Sequence, residues 1–111
     1  NMLFDADGNF SLIDWEYAGM ADYSQDFGTF VVCSEMDEAL ADAALELYFG
    51  RKPTFEERRH NFASVAFAGW CWYVWSLFKE AQGEFVGEPF YVYHLYAKEY
   101  IGKASELYGL A

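Results

Sequence analysis

Acidic and amide side chains cluster near the start of the chain, in the segment DADGNFSLIDWE, which begins at Asp5. Oxygen-bearing side chains at its first, third, fifth and twelfth positions are typical of a calcium-binding loop. Such a loop needs glycine at its sixth position, where this chain has Phe10, while Gly8 lies at the fourth. It also needs an entering helix, and only four residues precede Asp5. The pattern therefore argues against a calcium loop and leaves Asp14 and Glu16 as candidate ligands of another metal.

The same segment is typical of a β-hairpin. The apolar runs MLF and FSLI flank the turn-rich stretch DADGN, in which Gly8 can adopt a positive φ. The sequence predicts a hairpin over residues 2–14 whose second strand ends at IDWE. Because alternate residues of a strand point to the same side, Asp14 and Glu16 should project together. In an arbitrary protein, two such residues at the end of a strand are most often solvated carboxylates. Only the neighbouring residues can distinguish this interpretation from a role as metal ligands.

Composition limits the classes of function. With 111 residues the chain is long enough for one domain, and its net charge of −11 argues against nucleic-acid and anionic-membrane partners. This charge favours a cationic or metal-bound ligand, and an aromatic content of 22% exceeds what a small core needs. Cys33 and Cys71 have no metal-ligand spacing, so we expect buried thiols in a reducing, cytoplasmic compartment. The chain opens on Asn1 instead of methionine, from which we expect a fragment.

The longest uncharged run, residues 61–78, approaches the length of a membrane helix. Its tryptophans Trp70, Trp72 and Trp75 do not form two interfacial belts, and charged residues crowd both of its ends. The sequence therefore predicts a buried central helix and no membrane span.

Four helices are predicted after the hairpin. The first covers residues 24–32 with Ser24 as N-cap, and the second covers residues 37–49 and is ended by Gly50. The third covers residues 55–82 and begins with a capping box formed by Thr54 and Glu57. The fourth covers residues 89–108, with Pro89 in its first turn. Gly69 should kink the third helix or mark a close contact. The apolar stripe of the last helix is predicted to comprise Phe90, Tyr93, Leu95, Tyr96, Tyr100, Ile101 and Leu107. The fold class is therefore mainly α, a short N-terminal β-hairpin followed by about four helices.

Four segments carry a resemblance to a known family: LIDWEYAG, DFG, WCWYVWSL and YAKEY, in this order over nearly the whole chain. Together they resemble the C-terminal half of the choline/ethanolamine kinases, within the aminoglycoside-phosphotransferase-like group of the protein-kinase-like fold. The resemblance implies that residues 1–111 are a single domain, the C-terminal lobe of such a kinase. The N-terminal lobe and the catalytic aspartate are not in this chain, so the chain alone is expected to be inactive.

The resemblance also implies roles for acidic and amide residues. Asp14 would ligate Mg²⁺, and Asn1 would match the asparagine that binds a second Mg²⁺, with ATP as the phosphate donor. Asp26 would hold the catalytic loop, and Glu16 would give structural support. One departure affects substrate choice: some relatives carry a glutamate where this chain has Cys33, and Glu35 is a candidate replacement.

Aromatic residues would form the substrate site. A quaternary ammonium group donates no hydrogen bond, so proteins hold it by cation–π contacts. The resemblance assigns Trp72, Trp75, Tyr17, Tyr91 and Tyr96 to this site, although an aromatic stripe at helical spacing is more often core packing. Trp70 has no such support and is predicted to be core. His60 and His94 show no metal spacing and are predicted to be an exposed residue and a helix-face residue.

The leading functional hypothesis is transfer of the ATP γ-phosphate to the hydroxyl of choline or a related amino alcohol. An aminoglycoside-type phosphotransferase would use the same chemistry, but with clustered carboxylates where this chain has indoles. A non-catalytic helical module could instead bind a quaternary ammonium ligand or a partner helix. Self-association of the fragment is a further possibility.

Overall fold

Residues 1–110 are described by the structure, a computed structural model. The elements follow in the order β1 (Met2–Phe4), β2 (Phe10–Leu12), α1 (Ser24–Cys33), α2 (Glu38–Phe49), α3 (Phe55–Ala81) and α4 (Pro89–Leu107). The two strands pair antiparallel, with Met2 opposite Leu12. The prediction of a short N-terminal hairpin followed by about four helices is confirmed.

The hairpin turn is closed by Asp5. Its Oδ1 accepts the backbone N–H groups of Asp7 at 2.9 Å and Asn9 at 2.8 Å, and its Oδ2 accepts the Asn9 amide at 2.7 Å. The hydrogen bonds from Asn9, that of the side chain first, hold the pKa of Asp5 below its ordinary value. Gly8 takes the predicted positive φ, at 82°. The carboxylate of Asp5 is therefore committed to the turn.

The second strand ends earlier than predicted. It stops at Leu12, and Asp14 adopts a left-handed backbone conformation with φ of 66°. A turn follows at once, in which the Ala18 N–H donates to the Trp15 carbonyl at 2.9 Å. The alternation rule for strands therefore does not apply to Asp14 and Glu16.

Capping at α2 and α3 follows the prediction. The Asp37 side chain accepts the Leu40 N–H at 2.8 Å, and Gly50 ends α2 with φ of 65°. Thr54 and Glu57 form the predicted capping box at the start of α3. For α1, the predicted range of residues 24–32 agrees with the observed helix, but the predicted N-cap was wrong. Ser24 is the first residue of the helix, and Asp22 Oδ1 accepts both its N–H and its hydroxyl hydrogen.

Helix α3 packs against both α1 and α4. Two glycines allow these close crossings: a Cβ at Gly28 would lie 2.4 Å from the Ser64 carbonyl oxygen, and one at Gly69 would lie 2.8 Å from the Ala97 nitrogen. Gly69 therefore marks a close helix contact, one of its two predicted roles. The large buried apolar side chains are those of Phe27, Val31, Val32, Met36, Leu45, Phe62, Val65 and Tyr100.

Several burial predictions were wrong. Trp70 is 54% exposed, so the second half of α3 is not fully buried. On α4, Leu95 and Ile101 are exposed as well, because the face of α4 that meets α3 is centred on Ala97, Tyr100 and Ala104. Both cysteines are exposed instead of buried. Within residues 1–110, no helix combines the length and the hydropathy that a bilayer crossing requires.

Candidate functional site

The hairpin brings Asn1 and Asp14 together. The Ile13 N–H donates to the Asn1 carbonyl at 3.1 Å, which extends the pairing of the strands by one step. The positive φ of Asp14 then turns the chain, and the Asn1 amide donates to Asp14 Oδ2 at 3.2 Å. The two residues predicted to hold Mg²⁺ are thus in direct contact.

The chemistry of this pair suits a hard cation. Asn1 Oδ1 and Asp14 Oδ1 accept no hydrogen bond from residues 1–110, so each residue keeps an oxygen free. In the same part of the chain no three His, Cys, Asp or Glu side chains gather as a metal-binding group. Mg²⁺ needs no such group, since one or two carboxylates, phosphate oxygens and water complete its shell. The pair therefore fits a magnesium ion that also binds a phosphate-bearing substrate.

A second group of residues forms an aromatic wall. The rings of Trp72 and Trp75 lie 5.6 Å apart and nearly perpendicular, because the two residues are three apart on α3. Tyr17 packs edge-on against Trp72 at 6.0 Å. Tyr93, from α4, approaches the same indole at 6.2 Å. Both indoles are only partly buried, so their faces remain accessible to a ligand.

A cleft in two adjoining parts, which share lining residues, extends along Asp14 and the aromatic wall. One part, of about 620 Å³, is lined by residues that include Asp14, Tyr17 and Asp26. The adjoining part, of about 260 Å³, includes Tyr17, Trp72 and Trp75. Tyr17, Gln25 and Thr29 line both parts. A ligand that occupied both parts of this cleft could therefore contact Asp14 and the aromatic wall at once.

Two tyrosines assigned to the site lie elsewhere. The Tyr96 hydroxyl donates to the Met36 carbonyl at 2.7 Å, and its ring stacks on Tyr100 at 5.9 Å. Burial raises the pKa of Tyr96. Tyr91 is 69% exposed and lines a separate cleft with Phe85 and Phe90. The structure does not bring Tyr91 and Tyr96 to the tryptophan pair.

Tyr93 is the aromatic residue that the sequence reasoning missed. Its side chain is partly buried, and burial is the first cause that raises its pKa, followed by the nearby Cys33 and Glu35. The backbone of α4 at Tyr93 lies against Gly69, since a Cβ at Gly69 would lie 3.0 Å from the Tyr93 carbonyl oxygen. The sequence carries no local signal that distinguishes Tyr93 from the other tyrosines of α4.

Asp26 and Glu16 differ in their relation to the cleft. Asp26, in the first turn of α1, lines the cleft together with Asp14, and its carboxylate accepts no hydrogen bond within residues 1–110. Glu16 lies in the turn after Asp14 and is exposed. Asp26 therefore adds negative charge to the wide part of the cleft, where a metal-bound or cationic ligand would be favoured.

His60, which was predicted to be exposed, has a side chain that is 42% exposed and that also takes part in a polar network. Its Nε2 lies 2.9 Å from Asp22 Oδ1 and 3.3 Å from Ser24 Oγ. This arrangement is not a nucleophilic triad, because one imidazole nitrogen faces both partners and Ser24 is fully buried. Its effect is to join α3 to the start of α1.

A family model matches residues 1–62, and its description is "phosphotransferase enzyme family". The match covers more than half of the chain and includes Asn1, Asp14 and Asp26, whereas Trp72 and Trp75 lie outside it. Comparisons with curated proteins and with solved structures give no match.

Proposed function

Because the chain belongs to the phosphotransferase enzyme family, we propose that the protein containing it transfers the γ-phosphate of ATP to the hydroxyl of choline or a related amino alcohol. The single observation that carries this proposal is the cleft between the Asn1–Asp14 pair and the Trp72–Trp75 pair. Phosphotransfer needs oxygen ligands for metal and phosphate at one end. A quaternary ammonium group needs aromatic faces at the other.

At the first end, Asp14 and Asn1 would hold Mg²⁺ through the oxygens that they keep free. When bound, the ion would neutralise phosphate charge and orient the donor. Asp14 already accepts a hydrogen bond from Asn1, so the two side chains are held beside each other before any ligand arrives. Asp26 lines the same part of the cleft and supports this end by its charge.

At the second end, Trp72, Trp75 and Tyr17 would contact the ammonium group. Each ring presents a negative face, and the indole gives the strongest cation–π contact among the aromatic side chains. Tyr93 extends this wall from α4. The net charge of −11 also favours a cationic substrate over an anionic one. Tyr91 and Tyr96 have no part in this arrangement.

The chain would supply the C-terminal lobe of the enzyme. In this proposal, the nucleotide-covering lobe and the base that accepts the hydroxyl proton come from other parts of the protein, so the chain alone is expected to be inactive. The test must therefore use the intact protein.

The experiment measures ADP release by the intact protein with ATP, Mg²⁺ and either choline, ethanolamine or an aminoglycoside. We expect turnover with choline that is lost in Asp14→Asn and kept in Asp7→Asn, a control that changes an exposed carboxylate of the hairpin turn. Turnover with the aminoglycoside alone would keep the phosphotransferase chemistry and overturn the amino-alcohol substrate.

The aromatic end has its own matched pair of variants. Trp72→Leu should raise KM for choline at least tenfold, since cation–π contacts with a desolvated cation contribute about 2 kcal/mol. Trp70→Leu removes an equally large ring whose side chain lines a groove with Phe67 and Ile101 and not the cleft. Equal KM values in the two variants would show that the indole of Trp72 does not bind the substrate, and would leave a role in packing.

A further inference from the structure

A polar clasp, made by Asp22, Ser24, His60 and Ser64, joins the loop of residues 13–23 to α3. Asp22 Oδ1 accepts the Ser24 N–H at 2.9 Å and the Ser24 hydroxyl at 2.6 Å, and it lies 2.9 Å from His60 Nε2. The Ser24 hydroxyl also meets the Ser64 hydroxyl at 2.5 Å. Ser24 is fully buried and Ser64 nearly so, whereas Asp22 and His60 lie at the surface end of the clasp.

The loop that the clasp holds carries part of the candidate site. It includes Asp14 and Tyr17, and every residue from 1 to 23 is exposed. Tyr17 contacts α3 through the ring of Trp72. At the other end of the loop, Tyr23 stacks on Tyr48 of α2 at 6.1 Å. Since the loop has little burial of its own, its position depends on these few anchors.

We propose that His60 is a positioning residue for the candidate site: by bonding to Asp22 it holds the loop that presents Asp14 and Tyr17 to the cleft. This inference rests on the proposed function for its effect on turnover. Its effect on the loop stands independently of that function.

The hydrogen bonds at Asp22 show why a change at His60 should affect the position of the loop and not the packing of the core. The carboxylate is ionised at neutral pH, because hydrogen bonds from the Ser24 side chain and backbone, and then from His60, lower the pKa of Asp22 to about 2. Without His60, both bonds from Ser24 remain, and so does the bond between Ser24 and Ser64. The start of α1 therefore keeps its bonds to Asp22 and Ser64. The bond from Asp22 to α3 is lost, together with the contacts of the imidazole with Ser24 Oγ at 3.3 Å and with the Tyr23 ring at 5.7 Å.

The experiment compares three variants of the intact protein: His60→Ala, His60→Gln and the control His94→Ala. His94 is an exposed histidine of α4 whose ring contacts Tyr73 and which makes no hydrogen bond to the loop. We expect His60→Ala to raise KM for the amino alcohol about two- to fivefold, with Tm nearly unchanged, because the pair is exposed and acts through the population of the positioned loop. Glutamine keeps an N–H donor at similar reach, so His60→Gln should restore the lower KM.

A second measurement does not depend on turnover. Hydrogen exchange of the Ala18 amide, which closes the turn after Asp14, should be faster in His60→Ala and return to the original rate in His60→Gln. If no amino alcohol is phosphorylated, the proposed function fails, and exchange alone decides the role of the clasp. Unchanged exchange in His60→Ala, or equal KM values in His60→Ala and the original protein, would overturn the inference. A KM increase that glutamine does not reverse would also overturn it.

Discussion

Replacing Gly69 by alanine tests how α3 and α4 meet. A Cβ at this position would lie 2.8 Å from the Ala97 nitrogen, 3.0 Å from the Tyr93 carbonyl oxygen and 3.2 Å from the Ala97 Cα. All three atoms belong to backbone, so no side chain can rotate away and α4 itself must move. Gly102 is the matched control, because it lies within α4 and a Cβ there would meet no atom within 4 Å.

The magnitude follows from comparing the two variants. Alanine is favoured over glycine in a helix interior by about 0.5–1 kcal/mol, and this gain applies at both positions. Forcing extra volume into a tightly packed contact costs about 1–3 kcal/mol. The helix gain cancels in the comparison, so Gly69→Ala should be about 1–3 kcal/mol less stable than Gly102→Ala. For a chain of this length, this difference corresponds to roughly 4–12 °C in Tm.

Thermal and urea unfolding of both variants provide the assay. We expect Gly102→Ala to unfold above the original protein and Gly69→Ala to unfold well below Gly102→Ala. The near-ultraviolet signal of the tryptophans should also change in Gly69→Ala, because moving α4 shifts Tyr93 away from Trp72. Equal Tm values for the two variants would refute the close crossing and, with it, the orientation of Tyr93.

Two further predictions concern single side chains. Burial raises the pKa of Tyr100 to about 12, and its hydroxyl has no hydrogen-bond partner in residues 1–110. Tyr100→Phe should therefore leave the free energy of unfolding, measured by urea titration, unchanged or raise it. Tyr96→Phe should lower it by about 1 kcal/mol, because the Tyr96 hydroxyl donates to the Met36 carbonyl. The hydrogen bonds from the Arg51 guanidinium and then from the Thr54 backbone N–H lower the pKa of Glu57 to about 2. Because this pKa is lower in the folded state, the stabilisation by ionised Glu57 is complete above pH 4.5 and is lost as the pH falls toward 2. The free energy of unfolding should therefore fall less steeply with decreasing pH over this interval in Glu57→Gln than in the control Glu56→Gln.

Short-range rules predicted the helix ends well. At Asp37, Gly50 and Thr54, the deciding hydrogen bond or backbone angle involves residues no more than four apart. Such features can be read from a few letters, since they depend on the side chain and the local backbone alone. Ser24 is the exception: its hydroxyl donates to Asp22 Oδ1 and also contacts the Ser64 hydroxyl of α3, a distant residue that local rules do not take into account.

Burial was predicted less well because it depends on how helices rotate against each other. Trp70 and Leu95 are as apolar as their buried neighbours, yet they face away from the crossings that Gly28 and Gly69 allow. The rotation of α4 about its axis also decides which of its tyrosines reaches the tryptophan pair. Tyr91 and Tyr93 are two residues apart and so point about 200° apart on α4, and of the two it is Tyr93 whose ring contacts Trp72. The sequence contained both tyrosines but no local signal that chooses between them.

Tyr17 is the residue at which the two ends of the candidate site meet. It follows Asp14 by three residues within the matched region, and its ring packs on Trp72, which lies outside that region. In the proposed function, a change at Asp14 removes a metal ligand, and a change at Trp72 removes a face of the ammonium site. A change at Tyr17 would instead alter the distance between the metal end and the aromatic end of the cleft, while Asp14 and Trp72 both remain. In the proposed function, the distance between the phosphate and ammonium sites, and hence the length of amino alcohol that fits, would therefore be set where this loop rests on α3.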